Sequence, residues 1–329
     1  MGTGTADRGR ESTVGPTIGR FLEPSASTRT RIAVVGDIHL SIDTHGTWKV
    51  LHRTERRLST VIADCELDDL DGIIFAGDLT RSGSHREFES FDELVEPLEV
   101  PWVAIPGNHD VPPWDGRNPD GSLTRDEFAA AYADGSFPTV ARFGGVDVVG
   151  LNTASTPDDR LSGWGGDVSD EQLAALDDRL SSLENPIVCC HHNLYPLAEQ
   201  PEAEPWEWFS LDRPAALEAV LSNHDVPLVV SAHHHLPAAT VRDDLRELIV
   251  PPVCSFPQAY CVLEIDERGT TARLVPLATP EETVEAYWHA ATGDPLGRGV
   301  LEMASSRLER LPLVDERADD ERPNCEERR

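Results

Sequence analysis

The sequence predicts an α/β fold, and two features of the chain support that prediction. Five apolar segments, each long enough for one strand, end in Asp, Asn or His. Helical patterns separate the first three segments, and strand, helix, strand, helix, strand is the order of a βαβ core. Ligands of open α/β sheets bind beyond the carboxyl ends of the strands. The polar residues that follow the apolar segments are therefore candidates for one shared site.

The first half of the chain contains the predicted βαβ core. We predict its strands at 32–35, 72–76 and 102–105. Apolar residues recur at helical spacing over 47–66, between the first two strands. Ser84 and Glu87 have the spacing of a capping box, which predicts a second helix that ends near Glu96. Residues 115–121, beyond the third strand, form a polar insertion rich in turn-forming residues.

The second half of the chain adds a hairpin, further helices and further strands. The glycine pair at 144–145 predicts the turn of a β-hairpin, and Thr124 and Ser169 have the spacing of helix N-caps. Two apolar strands, 186–190 and 226–231, lead directly into histidines. We predict later strands near 248, at 260–265 and at 271–275, and later helices at 169–183, 214–222, 280–291 and 299–311.

The two ends of the chain are predicted to lie outside the main domain, which covers residues 31–276. Residues 1–30 are rich in Gly, Ser, Thr and Arg, a composition that predicts a disordered N-terminal arm. Residues 277–313 predict a C-terminal helical extension. The last segment, 314–329, is dense in charge and is expected to be a solvated tail.

Polar side chains that can bind metal collect at the ends of the five predicted strands. They are Asp37 and His39, then Asp78, then Asn108 with His109 and Asp110, then His191 with His192, and finally His233 with His235. Any one of these segments alone could be an ordinary polar turn. The members of the Asp37/His39 and His233/His235 pairs are two positions apart, so on a regular strand each pair would share a face. Five such strand ends together are better explained by a metal site.

The order of these residues resembles the calcineurin-like metallophosphoesterases. The matching motifs are Asp-x-His, Gly-Asp, Gly-Asn-His-Asp, His and His-x-His, at 37–39, 77–78, 107–110, 191 and 233–235. The resemblance covers about residues 31–276 and is nearest the branch of cyclic-nucleotide phosphodiesterases and glycerophosphodiesterases. Ala232 departs from the pattern, because the family usually has glycine before His-x-His. The resemblance implies two packed mixed β-sheets flanked by helices, a four-layer α/β/β/α metallophosphoesterase sandwich.

The resemblance also implies a centre of two divalent metal ions. One ion would be held by Asp37, His39, Asp78 and His235, and the other by Asp78, Asn108, His191 and His233, with Asp78 bridging. His191 and His192 compete for one ligand position, and His191 is preferred because it directly follows the strand. His109 would protonate the leaving alkoxide or stabilise the transition state, with Asp110 as its candidate partner. Mn, Fe, Zn, Ni and Co would all accept these ligands.

These residues predict an enzyme, a dinuclear metal-dependent phosphohydrolase. We expect a phosphodiesterase that cleaves a small phosphodiester by attack of metal-bound hydroxide. The alternatives are a phosphomonoesterase, a nucleotide pyrophosphatase or a nuclease on the same site, and more remotely a non-catalytic scaffold. Four aromatic residues in 193–212 predict a lid or substrate wall, or else a packing patch or a contact in a homo-oligomer: Tyr195, Trp206, Trp208 and Phe209.

The charge of the chain argues against several classes of partner. The sequence has 59 acidic and 28 basic residues, a formal net charge of -31, and Lys49 as its single lysine. Such a surface repels nucleic acid backbones and anionic membranes, so no membrane partner and no long nucleic acid substrate are expected. The low-lysine, acid-rich balance is typical of halophilic proteins, because high salt screens self-repulsion. An acidic protein from an ordinary organism is the alternative.

Cysteine content and the N-terminal composition predict a cytoplasmic protein. Six scattered cysteines are too few for a disulfide framework, and the neighbours Cys189 and Cys190 are expected to pack as small apolar residues. Residues 1–30 contain no apolar central region of a secretory signal. No apolar stretch is long enough to span a bilayer.

Overall fold

Strands and helices alternate along the chain in a computed structural model that describes residues 15–111, 123–155, 164–242 and 244–320. The strands of the described residues are β1 (Thr17–Phe21), β2 (Thr30–Val35), β3 (Gly72–Phe75), β4 (Trp102–Ala104), β5 (Thr139–Phe143), β6 (Val146–Gly150), β7 (Ile187–Cys189), β8 (Leu228–Ser231), β9 (Ala238–Arg242), β10 (Leu245–Ile249), β11 (Ala259–Asp266), β12 (Gly269–Pro276) and β13 (Val314–Asp315). The helices are α1 (Thr54–Leu67), α2 (His85–Val95), α3 (Arg125–Tyr132), α4 (Asp170–Leu180), α5 (Pro214–Asn223), α6 (Pro280–Ala291), α7 (Pro295–Leu308) and α8 (Glu316–Asp320).

The strands form two mixed sheets, as the family resemblance implied. The first sheet has the order β13-β1-β12-β11-β2-β3-β4, in which β2, β3 and β4 are parallel and β11 is antiparallel to β2. The second has the order β5-β6-β7-β8-β10-β9, in which β6, β7, β8 and β10 are parallel. The carboxyl ends of the parallel strands in each sheet are the ends that carry the predicted site residues.

Alternating residues of the central strands face different layers, which gives the four-layer α/β/β/α arrangement. In β2, Ile32 and Val34 point into the core between the sheets, where they meet residues of the second sheet such as Val148. Ala33 and Val35 point to the other side, into the layer formed by α1 and α2. Because both faces of these strands are buried, their sequences are continuously apolar, as expected for parallel strands.

The predicted N-caps at Ser84, Thr124 and Ser169 are confirmed, and one capping box differs in detail. The helix predicted at 299–311 begins earlier, at Pro295, and ends at Leu308. Ser84 accepts a hydrogen bond from the backbone of Glu87 at 3.3 Å, so α2 begins where expected. The Glu87 carboxylate, however, accepts from the backbone and hydroxyl of Ser82. Thr124 and Ser169 cap α3 and α4 as predicted. The segment predicted as one helix over 47–66 instead contains a turn, a short 3₁₀ helix and then α1.

Both predicted ends of the domain need correction, because each adds a strand to the first sheet. The expectation of a disordered arm is wrong for Thr17–Phe21, which pairs with β12 and buries Ile18 completely. The charged tail is not fully solvated, since Val314–Asp315 pairs with β1 and Asp315 binds Arg20 at 2.6 Å. An unpaired edge at β12 would expose its backbone donors and acceptors, and these two strands cover it.

Further differences concern regions with weak sequence signals. Strand β9, which pairs with β10 at the edge of the second sheet, was not predicted. The insertion predicted at 115–121 and the end segments 1–14 and 321–329 lie outside the described residues. The predicted helical extension is present as α6 and α7. Within the described ranges, no helix has both the length and the apolar character needed to cross a membrane.

Candidate metal centre

The predicted ligands lie in loops just beyond the strand ends, not on the strands themselves. Five of them have a left-handed backbone that non-glycine residues seldom adopt: Asp37 (φ 52°), His39 (φ 46°), Asp78 (φ 54°), His233 (φ 62°) and His235 (φ 56°). The prediction that the paired ligands share the face of a regular strand is therefore wrong, since β2 ends at Val35 and β8 at Ser231. Tight left-handed turns bring these side chains together. Such strain persists only where the surrounding structure enforces it, and it is common at functional sites.

The first group of side chains that could hold an ion consists of Asp37, His39, Asp78 and His235. His39 Nε2 lies 3.1 Å from Asp78 Oδ2 and 3.1 Å from His235 Nε2. His235 Nε2 lies 3.6 Å from Asp37 Oδ1. All four side chains are buried, so their ligand atoms face one another rather than solvent. This is the first of the two ligand sets that the sequence predicts.

The second group meets the other oxygen of the Asp78 carboxylate. His191 Nε2 lies 3.5 Å from Asp78 Oδ1 and 3.1 Å from His233 Nδ1. His191 Nδ1 donates to the carbonyl oxygen of Ala76 at 2.9 Å, which leaves Nε2 free to act as a ligand atom. Asn108 lines the same pocket. Asp78 therefore stands between the two groups and presents one oxygen to each.

Both members of the His191/His192 pair are buried next to His233, and they have different partners. The ring of His192 lies 4.4 Å from that of His233, and its Nδ1 bonds to the Thr153 hydroxyl at 2.8 Å. The contact with Asp78 is made by His191. The geometry is compatible with the preference for His191, which stays a prediction.

His109 and Asp110 do not form the pair that the sequence suggested. His109 Nδ1 donates to the carbonyl oxygen of Arg81 at 2.6 Å, so its Nε2 faces the pocket. The Asp110 carboxylate instead accepts from the backbones of Leu79, Thr80 and Gly107 and from the Thr80 hydroxyl. Consecutive side chains point in different directions here. Asp110 therefore ties the Asp78 loop to the Asn108 loop and does not orient His109.

The chemistry of the donor atoms fits divalent cations. Asp37 Oδ2 and His233 Nε2 are buried and have no hydrogen-bond partner within the described part of the chain. Burial lowers the pKa of His39, His233 and His235, so these imidazoles are neutral and able to act as ligands. Burial raises the pKa of Asp37 to about 7. A nearby cation would restore its charge, because an opposite charge favours the ionised carboxylate.

A pocket of about 180 Å³ opens onto the two groups, and its walls are largely aromatic. Trp48, Trp164 and Phe209 are among its lining residues, with the Trp164 and Phe209 rings 6.2 Å apart. Its polar lining residues include Lys49, Asn108, His109 and Asp294. The predicted substrate wall is thus present for Phe209, whereas Trp206 stacks behind it as packing.

Five lining residues of this pocket were missed at the level of sequence: Trp48, Lys49, Trp164, Asp294 and Leu296. Trp48, Lys49 and Trp164 stand in segments without a motif, far along the chain from most of the ligands. Of the other predicted wall residues, Tyr195 bonds to Glu218, and neither Tyr195 nor Trp208 is among the lining residues of this pocket. The one available signal was that Lys49 is the single lysine in the chain.

The departure at Ala232 is accommodated by a glycine in the opposite loop. A Cβ atom on Gly36 would lie only 2.8 Å from the Ala232 Cβ. The methyl group of Ala232 thus occupies the space left by Gly36. Ala232 also donates its backbone N–H to the carbonyl oxygen of His191 at 2.9 Å, so the His-x-His loop keeps its connection to the neighbouring strand.

Comparison with known families agrees with this geometry. The family model described as calcineurin-like phosphoesterase matches residues 30–237, more than half of the chain. The protein belongs to the calcineurin-like phosphoesterases. As a member of that family it is a phosphoric ester hydrolase with a site for two divalent metal ions, and the two side-chain groups described above are the candidate ligands.

Relatives of this phosphoesterase include proteins named as phosphodiesterases. A probable cyclic nucleotide phosphodiesterase of Pseudoalteromonas sp. is 24% identical over 261 residues, covering 77% of this chain and 90% of the relative. A protein with the same description from Synechococcus sp. is 28% identical over 207 residues, covering 62% and 72%. A probable glycerophosphodiester phosphodiesterase of Arcobacter nitrofigilis is 50% identical over 40 residues, which are 12% of this chain and 15% of that protein.

Solved structures with the same fold include two phosphatases. A dimetal phosphatase from Danio rerio superposes with a TM-score of 0.59 at 13% identity, covering 76% of this chain and 96% of that one. A purple acid phosphatase from yellow lupin gives a TM-score of 0.57 at 13% identity, covering 78% and 52%. At such low identity these matches show the fold alone, and they confirm the predicted two-sheet sandwich.

Proposed function

We propose that this phosphoesterase is a phosphodiesterase that hydrolyses a small phosphodiester. The observation that carries the proposal is the position of Asp78, whose two oxygens face two separate groups of buried ligands. The aromatic pocket beside these groups supports a diester, because it offers an apolar surface for a second substituent on phosphorus. The descriptions of the relatives as cyclic nucleotide phosphodiesterases support the same choice.

In the proposed site, two ions are held by the two ligand sets on either side of Asp78. The sets are Asp37, His39, Asp78 and His235, and Asp78, Asn108, His191 and His233. When bound, two such ions neutralise phosphate charge and activate water. Manganese and iron are our first candidates, and zinc, nickel and cobalt also suit carboxylate, amide and imidazole ligands.

The protein's own residues position and protonate the substrate. His109 presents Nε2 to the pocket while the Arg81 carbonyl accepts from its Nδ1–H, so the imidazole must be doubly protonated before it can donate a proton from Nε2 to a leaving alkoxide. Burial lowers the pKa of His109 to about 4, and the negative charge of a bound phosphate would raise it. Asp110 keeps the His109 loop against the Asp78 loop. Trp48, Trp164 and Phe209 exclude water from one side of the substrate.

A substrate panel tests the proposal. Purified protein loaded with Mn²⁺ is assayed with bis-p-nitrophenyl phosphate, cyclic AMP, a glycerophosphodiester, p-nitrophenyl phosphate and a nucleoside diphosphate. We expect the highest kcat/KM on a diester, with Asp78→Ala protein as the inactive control. Preference for the monoester or the diphosphate would overturn the choice of diester and favour a phosphomonoesterase or a pyrophosphatase.

We also propose that the protein works in the cytoplasm of a salt-adapted cell. The five cysteines of the described residues are free and buried, which suits a reducing compartment. At a net charge of -31, the acidic side chains should repel one another in dilute buffer. Molar salt should screen this repulsion, because the Debye length is then ~3 Å. The melting temperature should therefore rise from low salt to molar KCl. A flat or falling curve would count against the halophilic interpretation.

A further inference from the structure

The single lysine of the chain lies in the pocket of the metal centre. Lys49 Nζ is 3.1 Å from His39 Nε2 and 3.4 Å from His109 Nε2. All the other basic residues among the 28 are arginines. A chain that otherwise uses arginine thus has a lysine at this position. Lysine differs from arginine in its compact ammonium group and flexible stem, whereas arginine presents a wide planar fork.

The turn that carries Lys49 is held in a strained backbone. Thr47 (φ 58°) and Val50 (φ 47°) flank it, and both are β-branched residues in the left-handed region. For β-branched residues this conformation is a genuine outlier, and outliers of this kind are retained where the surrounding structure enforces them. Two backbone hydrogen bonds close the turn, from Val50 to Thr47 and from Leu51 to Gly46.

The C-terminal helices enforce the position of this turn. Trp48 is buried against α7, where a Cβ atom on Gly297 would lie 2.6 Å from its Cγ. The Trp48 ring also lies 4.9 Å from the ring of His235, a predicted ligand. Glycine at 297 thus makes room for Trp48, and Trp48 fixes the start of the Lys49 side chain beside the metal centre.

Lys49 Nζ points at the candidate ligand atom of His39, and the adjoining pocket is the other space that its side chain can reach. His39 Nε2 is a predicted ligand atom, and a cation bound there would repel the ammonium group at 3.1 Å. The pocket bordered by Trp48 and His109 is the direction open to the flexible lysine stem. In that pocket, the anionic part of a phosphodiester is its phosphate group, and an ammonium forms charge-assisted hydrogen bonds with phosphate oxygens.

We propose that Lys49 is a substrate-binding residue that donates a hydrogen bond to a non-bridging oxygen of the phosphate group. This inference rests on the proposed function as a phosphodiesterase. It separates two roles in the pocket: His109 serves the leaving-group oxygen, whereas Lys49 holds a non-bridging oxygen, which stays bonded to phosphorus. The contribution of Lys49 should therefore not depend on the leaving group.

Three variants test the role of Lys49. Lys49→Met removes the charge and keeps an unbranched stem, and Lys49→Arg keeps the charge in a different shape. Arg86→Met is the matched control for net charge, because Arg86 is exposed and pairs with the exposed Asp43 at 3.5 Å. All three are compared with wild type by circular dichroism, elemental analysis of metal, and titration of the Mn²⁺-loaded protein with inorganic phosphate.

We expect Lys49→Met to weaken phosphate binding by roughly 10–100-fold, the range for a hydrogen bond to a charged group. Its kcat/KM should fall by a similar factor on bis-p-nitrophenyl phosphate and on an alkyl diester. Lys49→Arg should recover part of the loss, and Arg86→Met should match wild type. Folding and metal content should be unchanged in all of them.

A single lysine also allows a direct spectroscopic readout. Reductive ¹³C-methylation labels Lys49 and any free N-terminal amine, and the Lys49 signal is identified by its absence in Lys49→Arg protein. Addition of phosphate should shift that signal in the metal-loaded protein.

Two results would overturn the proposal. One is unchanged phosphate binding in Lys49→Met together with an unmoved ¹³C signal. The other is a rise in metal content from about one to about two ions in Lys49→Met, which would show that the ammonium occupies an ion position. Failure of the phosphodiesterase proposal would be seen differently, as wild-type protein that binds phosphate through Lys49 and hydrolyses no diester.

Discussion

The two sheets contribute unlike halves to the metal centre. The loops of the first sheet supply Asp37, Asp78 and Asn108, which are the candidate oxygen ligands, and one imidazole, His39. The loops of the second sheet supply imidazoles, from His191, His233 and His235. The charge that would balance two cations therefore comes from the first sheet. The second sheet adds directional ligands that are neutral or lose a proton on binding.

The two halves are also secured differently. In the first, Asp110 joins the Asp78 and Asn108 loops through acceptor contacts within that sheet. The second half has a bond within it, from the Ala232 N–H to the His191 carbonyl, and is also bonded to the first half, from His191 Nδ1 to the Ala76 carbonyl and from the His233 N–H to Asp37 Oδ1 at 3.2 Å. We call the first half the framework, because Asp110 holds its loops together, and the second half is attached to this framework by hydrogen bonds. Damage to the first half should have the larger consequences.

The largest effect is expected from the residue that both ligand sets share. Asp78→Ala removes a ligand and a negative charge from each set, so both ions should be lost and activity should fall to background on every substrate. His235→Ala, in the second half, should reduce metal content by about one ion. Elemental analysis after Mn²⁺ loading measures both. Equal metal loss in the two variants would contradict the inference that the first half contributes more to metal binding than the second.

His109 belongs to the first half without being a ligand, and its removal should separate metal binding from chemistry. His109→Ala should keep both ions and lower kcat by ~10²–10⁴, the usual range for general acid–base assistance. The loss should be greater on an alkyl diester than on bis-p-nitrophenyl phosphate, because p-nitrophenolate needs little protonation to leave. Equal losses would point to electrostatic stabilisation, and metal loss would show that His109 is misassigned.

The Asp110→Asn variant tests whether the Asp110 carboxylate holds the Asp78 and Asn108 loops together. Asp110→Asn replaces one acceptor oxygen with an amide donor, which would face either the Thr80 N–H at the position of Oδ1 or the Leu79 and Gly107 N–H groups at the position of Oδ2. Unsatisfied buried donors cost about 1–3 kcal/mol of unfolding free energy. Urea unfolding measures this cost. Activity should fall by the same factor on good and poor leaving groups, since Asp110 does not contact the His109 ring. A leaving-group dependence like that of His109→Ala would restore the pairing suggested by sequence.

The candidate ligands could be predicted from sequence because each follows an apolar strand. The apolar pattern of the strand and the residues on either side of it are local signals in the sequence. The left-handed turns of these ligands could not be predicted, since His39 and His235 adopt φ values that depend on contacts between the two sheets. Lys49 was missed for the same reason, because a helix formed much later in the chain places it. Strand β1 looked like a disordered arm because its pairing partner, β12, is more than 240 residues away. The features that the sequence did not predict thus depend on contacts between residues that are far apart in the chain.

The smallest predicted effect concerns the steric contact at which the two halves meet. Gly36, in the first half, lies against Ala232 in the second, and a Cβ on Gly36 would approach the Ala232 Cβ to 2.8 Å. Gly36→Ala should therefore destabilise the protein by roughly 1–3 kcal/mol through overpacking. Ala232→Gly alone should cost about 0.5–1 kcal/mol, because glycine has more freedom to lose on folding.

If the halves are coupled here, the double variant should be more stable than the sum of the two losses predicts. Removing the Ala232 methyl group makes room for the new one, although Val250 remains at 3.1 Å from the added Cβ and limits the recovery. Urea unfolding of the four proteins under one metal condition gives the interaction energy, which for residues in contact is about 0.5–3 kcal/mol. Losses that simply add would mean that the loops adjust independently. The docking of the second half would then rest on its hydrogen bonds to Ala76 and Asp37, without a steric contribution from Ala232.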